Sequence, residues 1–321
     1  MTVAPVFSWG TTRRYNAWTD YCRLRYGGRI QKVVVNAGFS CPNRDGTVGV
    51  GGCSFCNNEG FSPSYCHQGD SIIGQIENGL TFLDQRYKKP EHYVAYFQSY
   101  SNTHAPLEVL EQRYRQALEH PRIEGLVVGT RPDCVNEQKL DYLARLAHHH
   151  MISVEYGLES CYNDTLKRIN RGHTFEQSVK AIEMSAARGL HTGIHIIFGL
   201  PGESRLQMLQ QANILSELPI SSIKFHQLQI VKGTAIESEY ASNPDRFNLF
   251  GMEEYIQFIV SFVEQLRPDI TIERFSGEVP PRLNAGPSWG KVRSDQVMVR
   301  IERELARQDT WQGRCWQKKC S

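Results

Sequence analysis

The chain alternates between short apolar runs rich in β-branched residues and longer amphipathic stretches. The short runs predict six β-strands, and at least one helical stretch follows each of them. This order is typical of βα units around a parallel sheet, whose functional residues lie at the carboxyl ends of the strands. The predicted strands cover residues 32–37, 92–98, 125–129, 152–157, 191–198 and 222–228.

Capping residues mark the ends of the predicted helices. Ser71 and Asn136 are suited to cap a helix amino end, Pro106 suits a first turn, and Gly189 suits a carboxyl end. We therefore expect an α/β fold, namely a partial (β/α)6 barrel over residues 31–267. The predicted helices cover residues 71–88, 106–120, 136–149, 163–169, 174–188, 204–217 and 251–266.

Two extensions flank the predicted barrel, over residues 1–30 and 268–321. In the second, residues 270–273 predict a further strand, and residues 275–290 predict a loop that covers the barrel mouth. The first 32 residues contain six lysines and arginines against a single acid, Asp20. Such a cluster is either a solvated surface or an RNA-binding rim. Four aromatic residues in this arm either stack on bases or form a hydrophobic lid: Tyr15, Trp18, Tyr21 and Tyr26.

Composition favours one large folded domain. The chain has 321 residues, of which 40% are hydrophobic and 22% charged, enough to bury one core. Its net charge of +2 neither requires nor excludes a polyanionic partner. No apolar stretch has the length of a membrane span and no export signal follows Met1, so we expect a cytoplasmic protein without a membrane partner. The nine cysteines are then expected to be reduced thiols or metal ligands, because disulfides form in oxidising compartments.

Three cysteines follow the first predicted strand within one glycine-rich segment: Cys41, Cys53 and Cys56. Three thiolates on a four-iron cluster leave one iron open for a substrate or cofactor, whereas a structural zinc site uses four ligands. The glycines allow a tight loop around a bulky cluster, and Phe55 offers an aromatic face beside it. The zinc alternative stays open, because Cys66 or His67 can supply a fourth ligand.

Polar or glycine-rich segments stand at the ends of the predicted strands. They are Tyr-Phe-Gln-Ser-Tyr-Ser-Asn-Thr at 96–103, Gly-Thr-Arg-Pro-Asp at 129–133, Glu-Tyr-Gly-Leu-Glu-Ser at 155–160, Ile-Asn-Arg-Gly-His at 169–173 and Gly-Leu-Pro-Gly-Glu at 199–203. Together with the cysteine loop, nearly the whole chain resembles radical S-adenosylmethionine (SAM) enzymes. Within them it resembles the YhcC/YtqA-like group, which is related to the radical SAM domain of the Elongator catalytic subunit. The first cysteine gap holds eleven residues instead of the usual three, a widening that the Elongator-like branch shares.

The resemblance implies two cofactors, a 4Fe-4S cluster held by the three cysteines and SAM bound at its open iron. Arg171 matches an arginine that pairs with the SAM carboxylate, although it is alternatively a surface arginine at a helix end. Glu159 is either a SAM contact or a carboxylate paired with an arginine, and His195 is either a ligand contact or an interior histidine. The candidate cofactor-binding residues are Phe55, Gln98, Ser99, Thr130, Glu159, Arg171, His195, Gly199 and Pro201.

Two of these segments have particular implied roles. The turn at Gln98 and Ser99 takes the place of a glycine-rich motif that binds the SAM amino group, but it lacks those glycines. The turn at 199–202 implies close backbone approach to the adenine of SAM.

The implied reaction is reductive cleavage of SAM to methionine and a 5'-deoxyadenosyl radical, which abstracts hydrogen from the substrate. It needs a one-electron donor such as flavodoxin or ferredoxin. Because the Elongator relatives act on the wobble uridine of tRNA, we expect tRNA as a partner and tRNA modification as the function. We expect no acetyl-CoA chemistry, because too few residues follow the barrel for the acetyltransferase domain of Elongator.

Two alternatives stay open at this point. Within the same class, the substrate is a small metabolite. In a different class, the protein is a zinc-stabilised nucleic-acid-binding protein. The last cysteines, Cys315 and Cys320, are either ligands of an auxiliary cluster or ordinary thiols.

Overall fold

A computed structural model describes residues 5–58, 62–66, 69–86 and 90–318. Its seven parallel strands form one sheet in which the spatial order equals the sequence order. This confirms the predicted α/β partial barrel and adds a seventh strand, since the strand predicted after the barrel pairs in parallel with the sixth. The strands are β1 Ile30–Val35, β2 His92–Phe97, β3 Gly125–Thr130, β4 Met151–Glu159, β5 His191–Phe198, β6 Ser222–Gln227 and β7 Thr271–Arg274.

The predicted helices are confirmed, with shifts of a few residues at their ends. Ser71 Oγ accepts a hydrogen bond from the Gly74 amide at 3.0 Å, and Asn136 Oδ1 accepts one from the Lys139 amide at 3.0 Å, as expected of N-caps. Three further helices were not predicted, namely α1, α8 and α10. The helices are α1 Trp18–Tyr26, α2 Ile72–Arg86, α3 Leu107–Leu118, α4 Glu137–Ala147, α5 Asn163–Arg168, α6 Phe175–Ala186, α7 Arg205–Ser216, α8 Ala235–Ser242, α9 Met252–Gln265 and α10 Ser294–Arg307.

The two faces of the sheet differ in polarity. On the outer face, fully buried apolar side chains such as Val33, Val154 and Phe225 pack against the helices in one core. Their neighbours along the strands, among them Glu155 and Lys224, point to the opposite side because side chains alternate along a strand. The helices therefore cover the apolar face and leave a polar inner face at the barrel centre.

The N-terminal segment contacts both the edge strand β7 and the end of the described chain. The Ile272 amide donates to the Asn16 carbonyl oxygen at 2.8 Å, and the Gln312 amide donates to the Arg14 carbonyl oxygen at 2.9 Å. Helix α10 contributes three buried side chains to the core, Val297, Ile301 and Leu305. Within the described ranges, no helix combines the length and the apolar character needed to cross a membrane.

Candidate cofactor site

The cysteine segment forms a tight loop after β1. The Cys41 carbonyl oxygen accepts hydrogen bonds from the backbone amides of Arg44 and Asp45, at 2.8 and 3.1 Å. Gly52 has a φ of 80°, and a Cβ at this position would lie 2.7 Å from Arg44 Nε. Glycine is needed there for both reasons. The loop brings its three cysteines, Cys41, Cys53 and Cys56, to the wall of one cavity.

Hydrogen-bond donors surround the sulfur of Cys53. Arg171 Nη1 donates to Cys53 Sγ at 3.3 Å, and Asn43 Nδ2 lies 3.8 Å from the same atom. Hydrogen bonds to cysteine sulfur are a feature of iron–sulfur sites. Burial and then the neighbouring Cys53 raise the pKa of the Cys56 thiol. A metal cation at this wall would favour its ionised form.

A cavity of about 250 Å³ lies at the carboxyl ends of the strands, where the fold predicts a functional site. Besides the three cysteines, it is lined by most of the residues that the sequence analysis selected. These are Phe55, Gln98, Ser99, Thr130, Glu159, Arg171, His195.

Two predicted residues lie elsewhere. Gly199 and Pro201 follow β5 but are absent from the cavity wall that the described residues form. A Cβ at Gly199 would lie 3.6 Å from Leu228 Cβ and 3.7 Å from Phe250 Cδ2, so this turn packs against the protein interior. Their contact with adenine stays a prediction.

Arg171 is buried in the cavity wall, with 7% of its surface exposed, so the alternative of a surface arginine is wrong. Its Nη2 donates to the Gly157 carbonyl oxygen at 2.6 Å and lies 3.5 Å from Glu159 Oε1. Glu159 is therefore paired with an arginine while it also lines the cavity. Burial alone would lower the pKa of Arg171, but Cys53 and Glu159 raise it above its ordinary value. Among the described residues, Arg171 Nε is buried without a hydrogen-bond partner, which leaves one donor for a ligand.

Strained backbone is concentrated beside this cavity. Tyr100, Glu159 and Asn170 have φ values of 65°, 70° and 51°. Such conformations cost non-glycine residues about 1–3 kcal/mol each and persist only where packing enforces them. In β4 the pairing with β5 shifts between Gly157 and Glu159, which marks a bulge that redirects the Glu159 side chain.

The polar side chains at the ends of β2 and β3 differ in whether other protein groups already hydrogen-bond to them. Thr130 Oγ1 lies 2.6 Å from Thr103 Oγ1 and 2.9 Å from Ser101 Oγ, so its hydroxyl is committed to a buried network. The Gln98 side chain, in contrast, has no hydrogen-bond partner in the part of the chain that the structure describes. Gln98 is therefore better placed than Thr130 to bind a ligand.

Four charged side chains on the inner face of the sheet form an ionic floor below the cavity, namely Lys32, Glu155, Lys224 and Glu273. Glu155 Oε1 lies 2.7 Å from Lys32 Nζ, and Glu155 Oε2 lies 2.5 Å from Lys224 Nζ. Glu273 Oε2 lies 2.6 Å from Lys32 Nζ and 3.6 Å from Lys224 Nζ. Burial alone would raise the pKa of both carboxyls, but the two lysines hold them below their ordinary values, and Glu155 far below. The floor thus pairs two lysines with two glutamates, so its formal charges balance.

His195 connects this floor to the cavity. Its Nε2 lies 3.0 Å from Glu155 Oε2, and its ring stacks on His226 with a centroid separation of 5.5 Å. His195 is consequently bonded to an interior carboxylate and also lines the cavity. Its position is consistent with both alternatives, an interior histidine and a ligand contact.

Sequence analysis missed several cavity residues, including Lys224, His226 and Arg274. A usable signal was present in β6, where Lys224 and His226 alternate with the apolar Ile223 and Phe225. Alternation of this kind indicates that one face of a strand is polar, and here that face is the barrel interior.

The zinc alternative finds little support in the position of Cys66. Its Sγ donates to Gln75 Oε1 at 3.0 Å, and Cys66 is not part of the cavity wall. His67 and Cys320 lie outside the described residues, and Cys315 is exposed. Across the described ranges, no three His, Cys, Asp or Glu side chains are close enough to hold a single metal ion.

The aromatic residues of the N-terminal segment pack at the amino ends of the strands, opposite the cysteine loop. Trp18 stacks on Tyr21 with a centroid separation of 5.4 Å, and both rings contact His191 at the start of β5. Tyr15 is buried. These residues form a lid at that end of the barrel, which is not where a substrate of the cavity would stack.

The basic residues of the same segment are largely paired. Arg13 contacts Asp20 and Glu302, and Arg14 contacts Asp309. Lys32 belongs to the ionic floor. The RNA-binding rim predicted here therefore has fewer available charges than the sequence indicated.

Comparison with known families identifies the fold and the cysteine loop together. The model of the Radical SAM superfamily matches residues 41–211, which is more than half of the chain and begins at Cys41. The chain belongs to the radical SAM superfamily. A model of the Radical_SAM C-terminal domain matches residues 220–307, which include β6, β7 and α10. The protein is therefore a radical SAM enzyme, as predicted.

The similar proteins include YtqA and YhcC, after which the predicted group is named. The uncharacterized protein YtqA of Bacillus subtilis is 33% identical over 96% of this chain and 94% of its own. Protein YhcC of Escherichia coli is 36% identical over 88% of this chain and 89% of its own. A tRNA uridine(34) acetyltransferase of Methanocaldococcus infernus is 25% identical over 53% of this chain and 31% of its own.

A solved structure has the same fold. The structure of archaeal Methanocaldococcus infernus Elp3 with an N-terminal deletion superimposes with a TM-score of 0.63 at 16% identity. The match covers 88% of this chain and 64% of that one, and at this identity it shows the fold alone.

Proposed function

We propose that Cys41, Cys53 and Cys56 hold a 4Fe-4S cluster and that the cavity beside them holds SAM. The observation that carries this proposal is that the three thiols and Arg171 line the same cavity. The residues fit both groups, because thiolates are the ligands of iron–sulfur clusters and a donor-lined wall suits the polar end of SAM. When bound, the cluster and SAM supply the electron and the 5'-deoxyadenosyl radical of this superfamily.

The cavity residues bind and orient these groups. Arg171 offers its unpartnered Nε to the SAM carboxylate, and its bond to Gly157 holds the guanidinium in place. Glu159 and Gln98 are placed to bind the amino group. His195, held by Glu155, faces the ribose or adenine. Phe55, Ser99 and Thr130 complete the proposed SAM wall, with Gly199 and Pro201 as more distant candidates.

We further propose that the substrate is tRNA. The relationship to a tRNA uridine(34) acetyltransferase over about half of the chain supports this proposal. A second support is a basic rim, which we define as Lys232 and Arg282. Both side chains are exposed and have no ion-pair partner among the described residues. Their segments adjoin, since the Lys232 amide donates to the Leu283 carbonyl oxygen at 2.8 Å, and Val231 lines the cavity. Exposed cations at a cavity entrance attract phosphates.

A small metabolite is the alternative substrate. The cavity is concave and lined by several polar side chains, which is also typical of small-molecule sites. In either case the enzyme needs a one-electron donor such as flavodoxin or ferredoxin.

The decisive experiment is anaerobic. The protein is reconstituted with iron and sulfide, mixed with dithionite and SAM, and assayed for 5'-deoxyadenosine by mass spectrometry, with and without bulk tRNA. We expect the nucleoside from the wild-type protein and more of it with tRNA. A fully loaded protein that forms none contradicts the radical reaction, and formation that tRNA does not increase favours the metabolite.

A matched pair of variants assigns the cluster ligands. Cys53→Ala is expected to lose bound iron and the nucleoside product while the barrel stays folded. Cys66→Ala removes another buried cysteine, one outside the cavity wall, and is expected to retain both. Equal iron content in the two variants would show that Cys53 is not a ligand.

A further inference from the structure

Among the described residues, Arg274 is the cavity-lining cation that has neither an ion pair nor a side-chain hydrogen bond. In the ionic floor, two lysines balance two glutamates. Arg171 forms an ion pair with Glu159, and Arg131 forms one with Asp133 at 2.7 Å. Arg44 donates to the Cys56 carbonyl oxygen at 2.7 Å. Within the described part of the chain, the Arg274 side chain has neither an ion pair nor a hydrogen bond, although it lines the cavity.

A bulge explains how Arg274 reaches the cavity. It is the last residue of β7 and directly follows Glu273, which belongs to the ionic floor. In a regular strand, two successive side chains would point to opposite faces. Here the pairing of β6 with β7 shifts by one residue between Ile223 and Lys224. Glu273 therefore contacts the ionic floor, while Arg274, although exposed to solvent, also lines the cavity. Bulges are common next to binding sites, where they redirect a side chain.

His226 lies on the neighbouring strand and also has an unused polar atom. Its Nε2 is buried without a hydrogen-bond partner among the described residues, and its ring lines the cavity. Gly277 allows this arrangement, since a Cβ there would lie 2.8 Å from His226 Nδ1. Burial and then the charge of Arg274 hold the pKa of His226 well below its ordinary value. The neutral ring adds no charge, and it can share one hydrogen bond with a ligand.

We propose that Arg274 and His226 form a subsite for an anionic oxygen group of the substrate, a phosphate or a carboxylate. A guanidinium binds either group through two parallel hydrogen bonds. The subsite is distinct from the one proposed for the SAM carboxylate, because Arg171 bonds to the end of β4 whereas Arg274 ends β7, and β5 and β6 lie between these strands. This inference rests on the proposed function, since it names the substrate group that faces SAM.

The anionic group has two possible sources, a phosphate of tRNA or the acidic group of a small metabolite. The first test therefore uses inorganic phosphate as the probe. Equilibrium dialysis of radiolabelled phosphate against the reconstituted protein, with saturating SAM present, should show saturable binding. Arg274→Gln should weaken it about tenfold or more, the effect of losing one charge-assisted contact. His226→Phe should weaken it by a smaller factor.

The control is Arg303→Gln, which removes an exposed arginine on α10, remote from the cavity wall. It should bind phosphate like the wild type. Equal binding by Arg274→Gln and Arg303→Gln would overturn the proposal. Phosphate binding that is seen only when SAM is left out of the dialysis would also overturn it, because the subsite would then belong to the cofactor. Circular dichroism of each variant checks that it is folded.

A second arm identifies the source. If bulk tRNA binds more weakly to Arg274→Gln than to Arg303→Gln, the subsite receives a tRNA phosphate. If tRNA binds equally well to the two variants, and acetate displaces phosphate from the wild-type protein but has no such effect in Arg274→Gln, the subsite receives the acidic group of a metabolite. Cleavage of SAM by the wild-type protein is measured in a separate assay, as the amount of 5'-deoxyadenosine formed. A protein that forms 5'-deoxyadenosine but binds no phosphate overturns this inference and leaves the proposed function intact.

Discussion

Arg171 and Gly157 are in direct contact: Arg171 Nη2 donates to the Gly157 carbonyl oxygen at 2.6 Å, and a Cβ at Gly157 would lie 2.7 Å from the same nitrogen. The absence of a side chain at Gly157 is thus what lets the guanidinium approach the end of β4. Since Arg171 Nη1 also donates to Cys53 Sγ, one residue connects the strand end to the cysteine loop.

Gly157→Ala is expected to weaken SAM binding about tenfold. The added methyl group would lie 2.5 Å from Glu159 Oε1 and 2.7 Å from Arg171 Nη2, so it displaces the Glu159–Arg171 pair and removes one charge-assisted contact. Equilibrium dialysis with labelled SAM measures this. Gly251→Ala is the control, because a Cβ at Gly251 meets no atom within 4 Å. If both variants bind SAM equally well, Arg171 does not contact SAM.

Glu155→Gln should destabilise the fold by about 3–5 kcal/mol, because it leaves the buried Lys224 and the half-buried Lys32 with a single carboxylate. Adding Lys32→Met restores neutrality, so the double variant should be more stable than Glu155→Gln alone. Urea unfolding of the two single variants and the double variant gives the coupling free energy. Strictly additive losses would show that the two charges are not coupled.

Acid should weaken the fold partly through His191, whose pKa is lowered from 6.5 to about 4, chiefly by burial. As the pH falls below 6.5, the unfolded chain binds a proton that folded His191 does not. His191 therefore leaves the free energy of unfolding unchanged above pH 6.5. As the pH falls from 6.5 toward 4, it lowers the free energy of unfolding progressively, by up to about 3 kcal/mol.

The check is urea unfolding of wild type and His191→Phe across this pH range. The variant should lose less stability on acidification, since it lacks this proton uptake. The charged residues facing the ring, those of the ionic floor, are the same in both proteins. Parallel curves would mean that another group accounts for the acid sensitivity.

The basic rim should control the salt dependence of tRNA binding. Replacing both Lys232 and Arg282 by glutamine should lower affinity for all tRNA sequences and reduce the slope of log affinity against log salt by about two, one for each phosphate contact. Filter binding at several salt concentrations measures the slope. The matched control replaces Arg293 and Arg303, two exposed arginines near and within α10. An unchanged slope in the rim variant would place the tRNA elsewhere.

Local sequence patterns were sufficient for most of the fold. The strands were predictable because their outer faces are apolar throughout, as in Val33 and Phe225. Helix α10 also carried a signal, since Val297, Ile301 and Leu305 recur every four residues among charged ones. Helix α1 did not, because Cys22 is its only buried residue and no apolar stripe marks it.

The site was predictable only where a local motif existed. The cysteine loop and the segment around Arg171 were found in this way. The ionic floor was not, because Lys32 and Glu155 are 123 positions apart and nothing near either residue indicates the other. Arg274 reaches the cavity through a bulge, which depends on how two strands pair and which no pattern in the β7 sequence indicates.

The position of Glu273 on β7 limits how far this chain can be shortened. A fragment that stops at residue 267, where the apolar and helical pattern of the barrel ends, would retain Lys32, Lys224 and Glu155 but not the second carboxylate. Two ammonium groups, one buried and one half-buried, would then share a single carboxylate, which should destabilise the fragment. We therefore expect the shortest unit that folds independently to include β7, which is the last strand of the sheet and pairs with β6.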